Sequence, residues 1–225
     1  MTWVKICGTT SLRDAQLSLA AGADALGFIF APSSRNIDLT TAADIISSLS
    51  GKAETIGVFV NETPERVAEV ANAIGLTGVQ LHGDEPPASL SRFRRALGQR
   101  KIIKALHAAE FIKAPDKLWE YLSAREHLDA ILLDSGSARQ RGGTGIAYDW
   151  SQAAPVAAEI RKSVPLIVSG GLNATNVARA IELFDPWGVD VVSGVESHPG
   201  VKDEMIVKEF FTAVRLTATS TKQRN

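Results

Sequence analysis

The stretch WVKICGTTSLRDAQLSLAAGADALGFIF, residues 3–30, is a strand, a helix and a second strand in one line. Its ends, WVKIC (3–7) and ALGFIF (25–30), are short, apolar and rich in β-branched or aromatic side chains. Its middle, SLRDAQLSLAAGA, opens on a serine suited to an N-cap and repeats apolar residues at helical spacing. Two strands joined by a helix lie parallel, because the crossover returns the chain to the same end of the sheet. The turn after the first strand, CGTTSL, lacks the Gly-x-Gly-x-x-Gly pattern of an open dinucleotide-binding sheet.

The same alternation continues through the chain. Further strands are expected at TIGVFV (55–60), GVQLH (78–82), KIIKAL (101–106), AILLD (130–134), PLIVS (165–169) and VDVVS (189–193). Helical segments such as TPERVAEVANAIG and NATNVARAIELF lie between them, one after each strand and each opening on a capping residue. Strands covered on both faces read as nearly continuous apolar runs, as these do. Eight such units predict an α/β fold with a single (β/α)8 TIM barrel over residues 1–216, followed by a polar, frayed tail at 217–225. Three strands enter alike, through GADALGFIF, HLDAILLDS and WGVDVVSGV, and Asp24, Asp129 and Asp190 in these segments read as turn residues ahead of their strands.

Composition bounds the partners. The chain has 225 residues, a formal net charge of -1 and one cysteine. RFRR (92–95) is the densest basic cluster and reads as a solvated helix face, so neither nucleic acid nor an anionic membrane is expected as a partner. The start resembles no signal peptide, no run is long enough to span a bilayer, and a lone cysteine builds no disulfide framework; the expected location is cytoplasmic. The helices show no long exposed apolar stripe, which leaves monomer and homodimer both open.

Active sites of such barrels gather at the C-terminal ends of the strands. Standing there are Cys7, Arg35, Asn61, His82, Asp134, Ser169, Gly170, Gly171, Ser193 and Gly194. Alternation places Lys5 on the face of Cys7 and Gln80 on that of His82, with Val4, Ile6, Val79 and Leu81 facing outward. Glycines recur after the last three strands, as GGTG (142–145), SGGL (169–172) and SGVE (193–196). Backbone N–H groups there can approach an anion, so Gly143, Gly145, Gly170, Gly171, Ser193 and Gly194 are expected to bind phosphate.

The ordered set KICG (5–8), GFIFAPSSR (27–35), GVFVN (57–61), QLHGDE (80–85), LLDS (132–135), GGTG with YDW (142–150), SGGL (169–172) and VDVVSGVESHPGVKD (189–203) resembles phosphoribosylanthranilate isomerase. The resemblance implies an Amadori rearrangement of N-(5-phosphoribosyl)anthranilate to 1-(2-carboxyphenylamino)-1-deoxyribulose 5-phosphate, the third step of tryptophan biosynthesis from chorismate. It implies Asp134 as general acid and Cys7 as general base, a small phosphosugar as the substrate, and no cofactor. Arg35 would then meet the anthranilate carboxylate and His82 the substrate. Lys5 either contacts the substrate and lowers the Cys7 pKa or is an interior ion pair, with Asp134 a candidate partner. Two rivals remain. One is another phosphosugar barrel enzyme, either an epimerase or the histidine-pathway isomerase, which resembles a two-fold repeat with Asp in place of Cys7; the other is a non-catalytic barrel, which loss of Cys7 or Asp134 would favour.

Overall fold

The computed structural model describes residues 2–134 and 150–222, with side chains through Thr217. Eight parallel strands close into a barrel in chain order. They are β1 (Trp3–Ile6), β2 (Ala25–Ile29), β3 (Glu54–Phe59), β4 (Gly78–Leu81), β5 (Lys101–His107), β6 (Ala130–Asp134), β7 (Leu166–Ser169) and β8 (Gly188–Val191). Closure is made by β8 on β1, where Lys5 stands opposite Asp190. A short antiparallel pair, β9 (Glu196–His198) and β10 (Val201–Lys202), follows β8.

The period-2 pattern sorts side chains into two cores. Trp3, Ala25, Ile56, Ile103, Ala105, Ala130, Leu132 and Ile167 fill the barrel interior. Val4, Ile6, Val79 and Leu81 face the other way and pack with the helices, as alternation requires. That outer layer comprises α1 (Leu12–Ala21), α2 (Leu39–Leu49), α3 (Pro64–Ile74), α4 (Leu90–Leu97), α5 (Ala108–Lys113), α6 (Pro115–Ser123), α7 (Trp150–Arg161), α8 (Val177–Phe184) and α9 (Glu204–Lys222).

Local chemistry sets the helix ends. Ser11 and Thr63 accept hydrogen bonds from the backbone N–H of Asp14 and Arg66, capping α1 and α3, and left-handed Gly22 and Gly75 stop them. Helices do not follow strands one for one. After β5 come both α5 and α6, because Pro115 has no N–H to continue α5 and forces Ala114 out of helical geometry. The helix expected to open at Asn173 begins at Val177 instead. The Asn173 side chain accepts from the N–H of Thr175, an Asx turn that holds the intervening residues outside the helix.

The three aspartates divide differently from the sequence expectation. Asp24 and Asp129 do sit ahead of β2 and β6, where they accept hydrogen bonds from the N–H groups of Val4 and Ile102 on the preceding strands. Asp190 lies inside β8, is buried, and points into the barrel. In RFRR, Arg92 meets Glu65 on the surface, while Arg94 bonds Asp129 and Phe93 is buried. Side chains of most of the expected tail, and the GGTG segment with Gly143 and Gly145, lie outside the described residues.

Candidate active site

A cavity of about 310 Å³ opens at the C-terminal end of the barrel. Cys7, Arg35, Gln80, His82, Asp134, Ser169, Gly170, Gly171 and Ser193 line it beside Ile29, Ala31, Val58, Val60 and Leu172. Polar groups thus stand on or just past β1, β4, β6, β7 and β8, with Arg35 added from the loop after β2, while Ile29 of β2 and Val58 of β3 belong to the apolar wall. Such a division suits a ligand with one flat apolar part and one highly charged part.

Cys7 is free and buried at the end of β1. Its Sγ fits because β2 carries Gly27 opposite; a Cβ there would lie 2.5 Å from that sulfur. Burial pushes the thiol pKa above its ordinary value and Asp190 adds to the rise, against the opposing pull of Lys5 and Lys202. At rest the group is a neutral thiol.

Lys5 does not line the cavity. It lies beneath the mouth, fully buried, and donates to Asp190 Oδ1 and Gln80 Oε1, both at 2.8 Å. Burial disfavours its charge, yet Asp190 and Cys7 overcome that and its pKa ends raised. The interior ion pair considered from the sequence therefore exists, with Asp190 rather than Asp134 as partner. From Gln80 the network continues to His82 Nδ1 at 2.7 Å, and His82 Nε2 stands 3.5 Å from Asp134 Oδ2, beyond a good hydrogen bond. The His107 ring lies 5.8 Å from that of His82, and burial pulls its pKa down.

Arg35 reaches the cavity from the loop after β2, held by Glu196: Nη2 donates to Oε2 at 2.7 Å and Nε shares both carboxylate oxygens at 3.1 Å. Glu196 also accepts from Lys202 at 3.0 Å. Burial opposes its charge, but Arg35 and Lys202 hold its carboxyl below the usual range. Lys202, whose own pKa burial lowers, donates as well to the backbone oxygens of Cys7 at 2.7 Å and Val192 at 3.3 Å. One buried ammonium therefore ties together the Cys7 turn, the loop after β8 and the anchor of Arg35.

Gly170 and Gly171 are both left-handed, with φ of 94° and 66°, a conformation that side chains resist. The loop after β8 packs against the residues that follow them, Leu172 and Asn173. Gly194 does not line the cavity: a Cβ there would collide with the Leu172 carbonyl oxygen, so it is the close approach of two loops that requires this glycine.

Asp190, Glu196 and Lys202 were missed as site residues by sequence reasoning, and Gln80 was placed only by its face. The usable signal was a charge inside an apolar run, VDVV on β8 just as VKI on β1. Opposite charges in neighbouring barrel strands need each other.

The sequence model of the family described as N-(5'phosphoribosyl)anthranilate (PRA) isomerase matches residues 4–213. An N-(5'-phosphoribosyl)anthranilate isomerase of Myxococcus xanthus is 42% identical over 217 residues, covering 94% of this chain and 95% of its own. The crystal structure of phosphoribosyl anthranilate isomerase from Thermotoga maritima superposes with a TM-score of 0.82 at 38% identity, over 96% of this chain and 99% of that one. Another crystal structure of such an isomerase, in complex with reduced 1-(o-carboxyphenylamino)-1-deoxyribulose 5-phosphate, gives a TM-score of 0.78 at 38% identity and the same coverage.

Proposed function

From the premise that the chain belongs to the N-(5'-phosphoribosyl)anthranilate isomerase family, we propose how its own residues divide the work. The reaction is the Amadori rearrangement of N-(5-phosphoribosyl)anthranilate to 1-(2-carboxyphenylamino)-1-deoxyribulose 5-phosphate, in tryptophan biosynthesis. The observation that carries the assignment of roles is that Cys7 and Asp134, from β1 and β6, enter one cavity.

Asp134 gives its proton to the furanose oxygen as the C1–O bond breaks and the anilino nitrogen lone pair forms the C1–N iminium. Cys7 then removes the C2 proton, and the electrons of that C–H bond become the C1–C2 double bond of the enolamine as the iminium is neutralised. Tautomerisation moves a proton to C1 and leaves the C2 carbonyl. The resting thiol is not yet a base. The cation formed on the substrate adds to the fields of Lys5 and Lys202 and favours loss of the thiol proton to water just when C2–H turns acidic.

The phosphate sits between the left-handed Gly170–Gly171 turn and Ser193, which line the same cavity. Arg35 meets the anthranilate carboxylate, the aromatic ring lies on the wall made by Ile29, Val58 and Leu172, and His82 contacts the opened sugar. The working unit is a monomer or a homodimer. Among the described residues no helix is long and apolar enough to cross a membrane. A reducing cytoplasm suits a thiol that has to stay free.

The decisive experiment mixes purified protein with freshly made phosphoribosylanthranilate and follows the decay of its anthranilate fluorescence. Rapid catalysed decay with formation of the ketose product is expected; decay no faster than without protein refutes the reading.

A further inference from the structure

We propose that Gln80 is a positioning residue that locks His82 in the tautomer carrying its proton on Nε2, toward Asp134; the inference rests on the acid role given to Asp134 above. Donors and acceptors along this chain of side chains fix the tautomer. The Lys5 ammonium has three donors and no acceptor, so the Gln80 atom 2.8 Å from it is the carbonyl oxygen. Asp190, 2.8 Å from the same ammonium, prevents Lys5 from turning away. The Gln80 amide nitrogen is thereby aimed at His82 Nδ1, 2.7 Å distant. An amide nitrogen only donates, so Nδ1 accepts and the neutral ring keeps its proton on Nε2.

That proton has a destination. Nε2 is buried, has no hydrogen-bond partner among the described residues and lies 3.5 Å from Asp134 Oδ2. Among the described residues, the charged or titratable groups around this chain include His107 on β5, with Glu110 and Lys104 near it, and Lys5, Asp190 and Cys7 behind Gln80. When Asp134 passes its proton to the ring oxygen, a carboxylate forms beside a preset N–H donor. A short movement closes a charge-assisted hydrogen bond, which lowers the barrier to ring opening without tightening the bound ground state.

The test pairs NMR with kinetics. In protein labelled with ¹⁵N-histidine, long-range ¹H–¹⁵N spectra, assigned by the signals lost in His82→Gln, are expected to show His82 protonated on Nε2 and bare on Nδ1. Gln80→Glu keeps the size but offers only acceptors to the ring, so it should move the proton to Nδ1. Its kcat is expected to fall about 10- to 100-fold, the usual cost of losing a partner that orients a working imidazole, while KM stays within about threefold. Gln80→Leu should lose similar activity with no fixed tautomer.

A wild-type ring protonated on Nδ1 overturns the proposal whether or not either variant folds. So does a Gln80→Glu or Gln80→Leu enzyme with unchanged kcat. Failure of the acid assignment would show separately, as near-normal kcat in Asp134→Asn with the His82 tautomer still fixed.

Discussion

Lys5 Nζ lies 2.8 Å from Asp190 Oδ1 inside the barrel, with both side chains closed off from water. Two neighbouring strands thereby place an ion pair directly under the catalytic mouth. Removing one member of such a pair leaves a charge stranded in a low-dielectric interior, whereas replacing both can be nearly neutral. Asp190→Asn should therefore cost about 3–5 kcal/mol of stability. The double change Lys5→Met with Asp190→Leu should recover most of it. Urea unfolding curves of the two variants decide the matter, and equal losses in both would count against a paired interior.

Cys7→Ser and Asp134→Asn keep side-chain volume and remove the proposed base and the proposed donatable proton. Each should lower kcat by about 10²- to 10⁴-fold, while affinity for a product analogue changes little. Ring opening also proceeds slowly in solution, so Asp134→Asn should retain more activity than Cys7→Ser on substrate that is already open. A Cys7→Ser enzyme of near-normal kcat would return the only cysteine to the role of a small core residue.

The raised pKa of Cys7 predicts a pH dependence with a definite sign. Fewer thiolates than in an exposed cysteine exist at neutral pH, so alkylation of the free enzyme should be slow and accelerate into the alkaline range. The folded value exceeds the unfolded one, so the stabilising contribution is complete below the ordinary thiol pKa and lost as pH rises through the folded value. Lys5→Met removes one cation that lowers the thiol pKa and should slow alkylation further. Faster modification in that variant at neutral pH would contradict this electrostatic account.

Glu196 should act on substrate binding through Arg35. Glu196→Gln loosens the guanidinium that Nε and Nη2 now hold, and a loss of about 1.4 kcal/mol in placement corresponds to roughly a tenfold rise in KM. The kcat should change less, because the carboxylate proposed to meet Arg35 is a part of the substrate that does not react. The depressed Glu196 pKa gives stability that is present above the usual carboxylate range and fades as pH falls through the folded value. The variant should thus be less stable at neutral pH and lose less of its stability on acidification. An unchanged KM would place the anthranilate carboxylate elsewhere.

The two late glycines should respond differently to alanine. Gly171→Ala forces a side chain into a left-handed position at about 1–2 kcal/mol and should disturb the proposed phosphate turn, raising KM in a protein that still folds. Gly194→Ala drives a methyl group into the Leu172 carbonyl and should lower the melting temperature more, since two loop backbones have to separate. Thermal melts beside KM values distinguish these outcomes; the reverse ranking of melting temperatures would show that the loops yield easily.

Much of this protein was settled by sequence alone. Strand positions, caps on α1 and α3, and the convergence of Cys7, His82 and Asp134 on one mouth follow from local pattern, because side-chain period and turn chemistry act over a few residues. Which groups meet across the barrel did not follow. Whether Asp190 ended a turn or entered the interior depended on the register of β8 against β1, fixed only when the sheet closes between segments 185 residues apart. The same closure brings Lys202 to the Cys7 carbonyl and Glu196 to Arg35, contacts that no local window contains. The protonation of Cys7 was likewise a tertiary matter. A nearby lysine in sequence suggested a lowered pKa, but burial at the barrel mouth outweighs it, because removal from water penalises the thiolate more than the neighbouring cations repay.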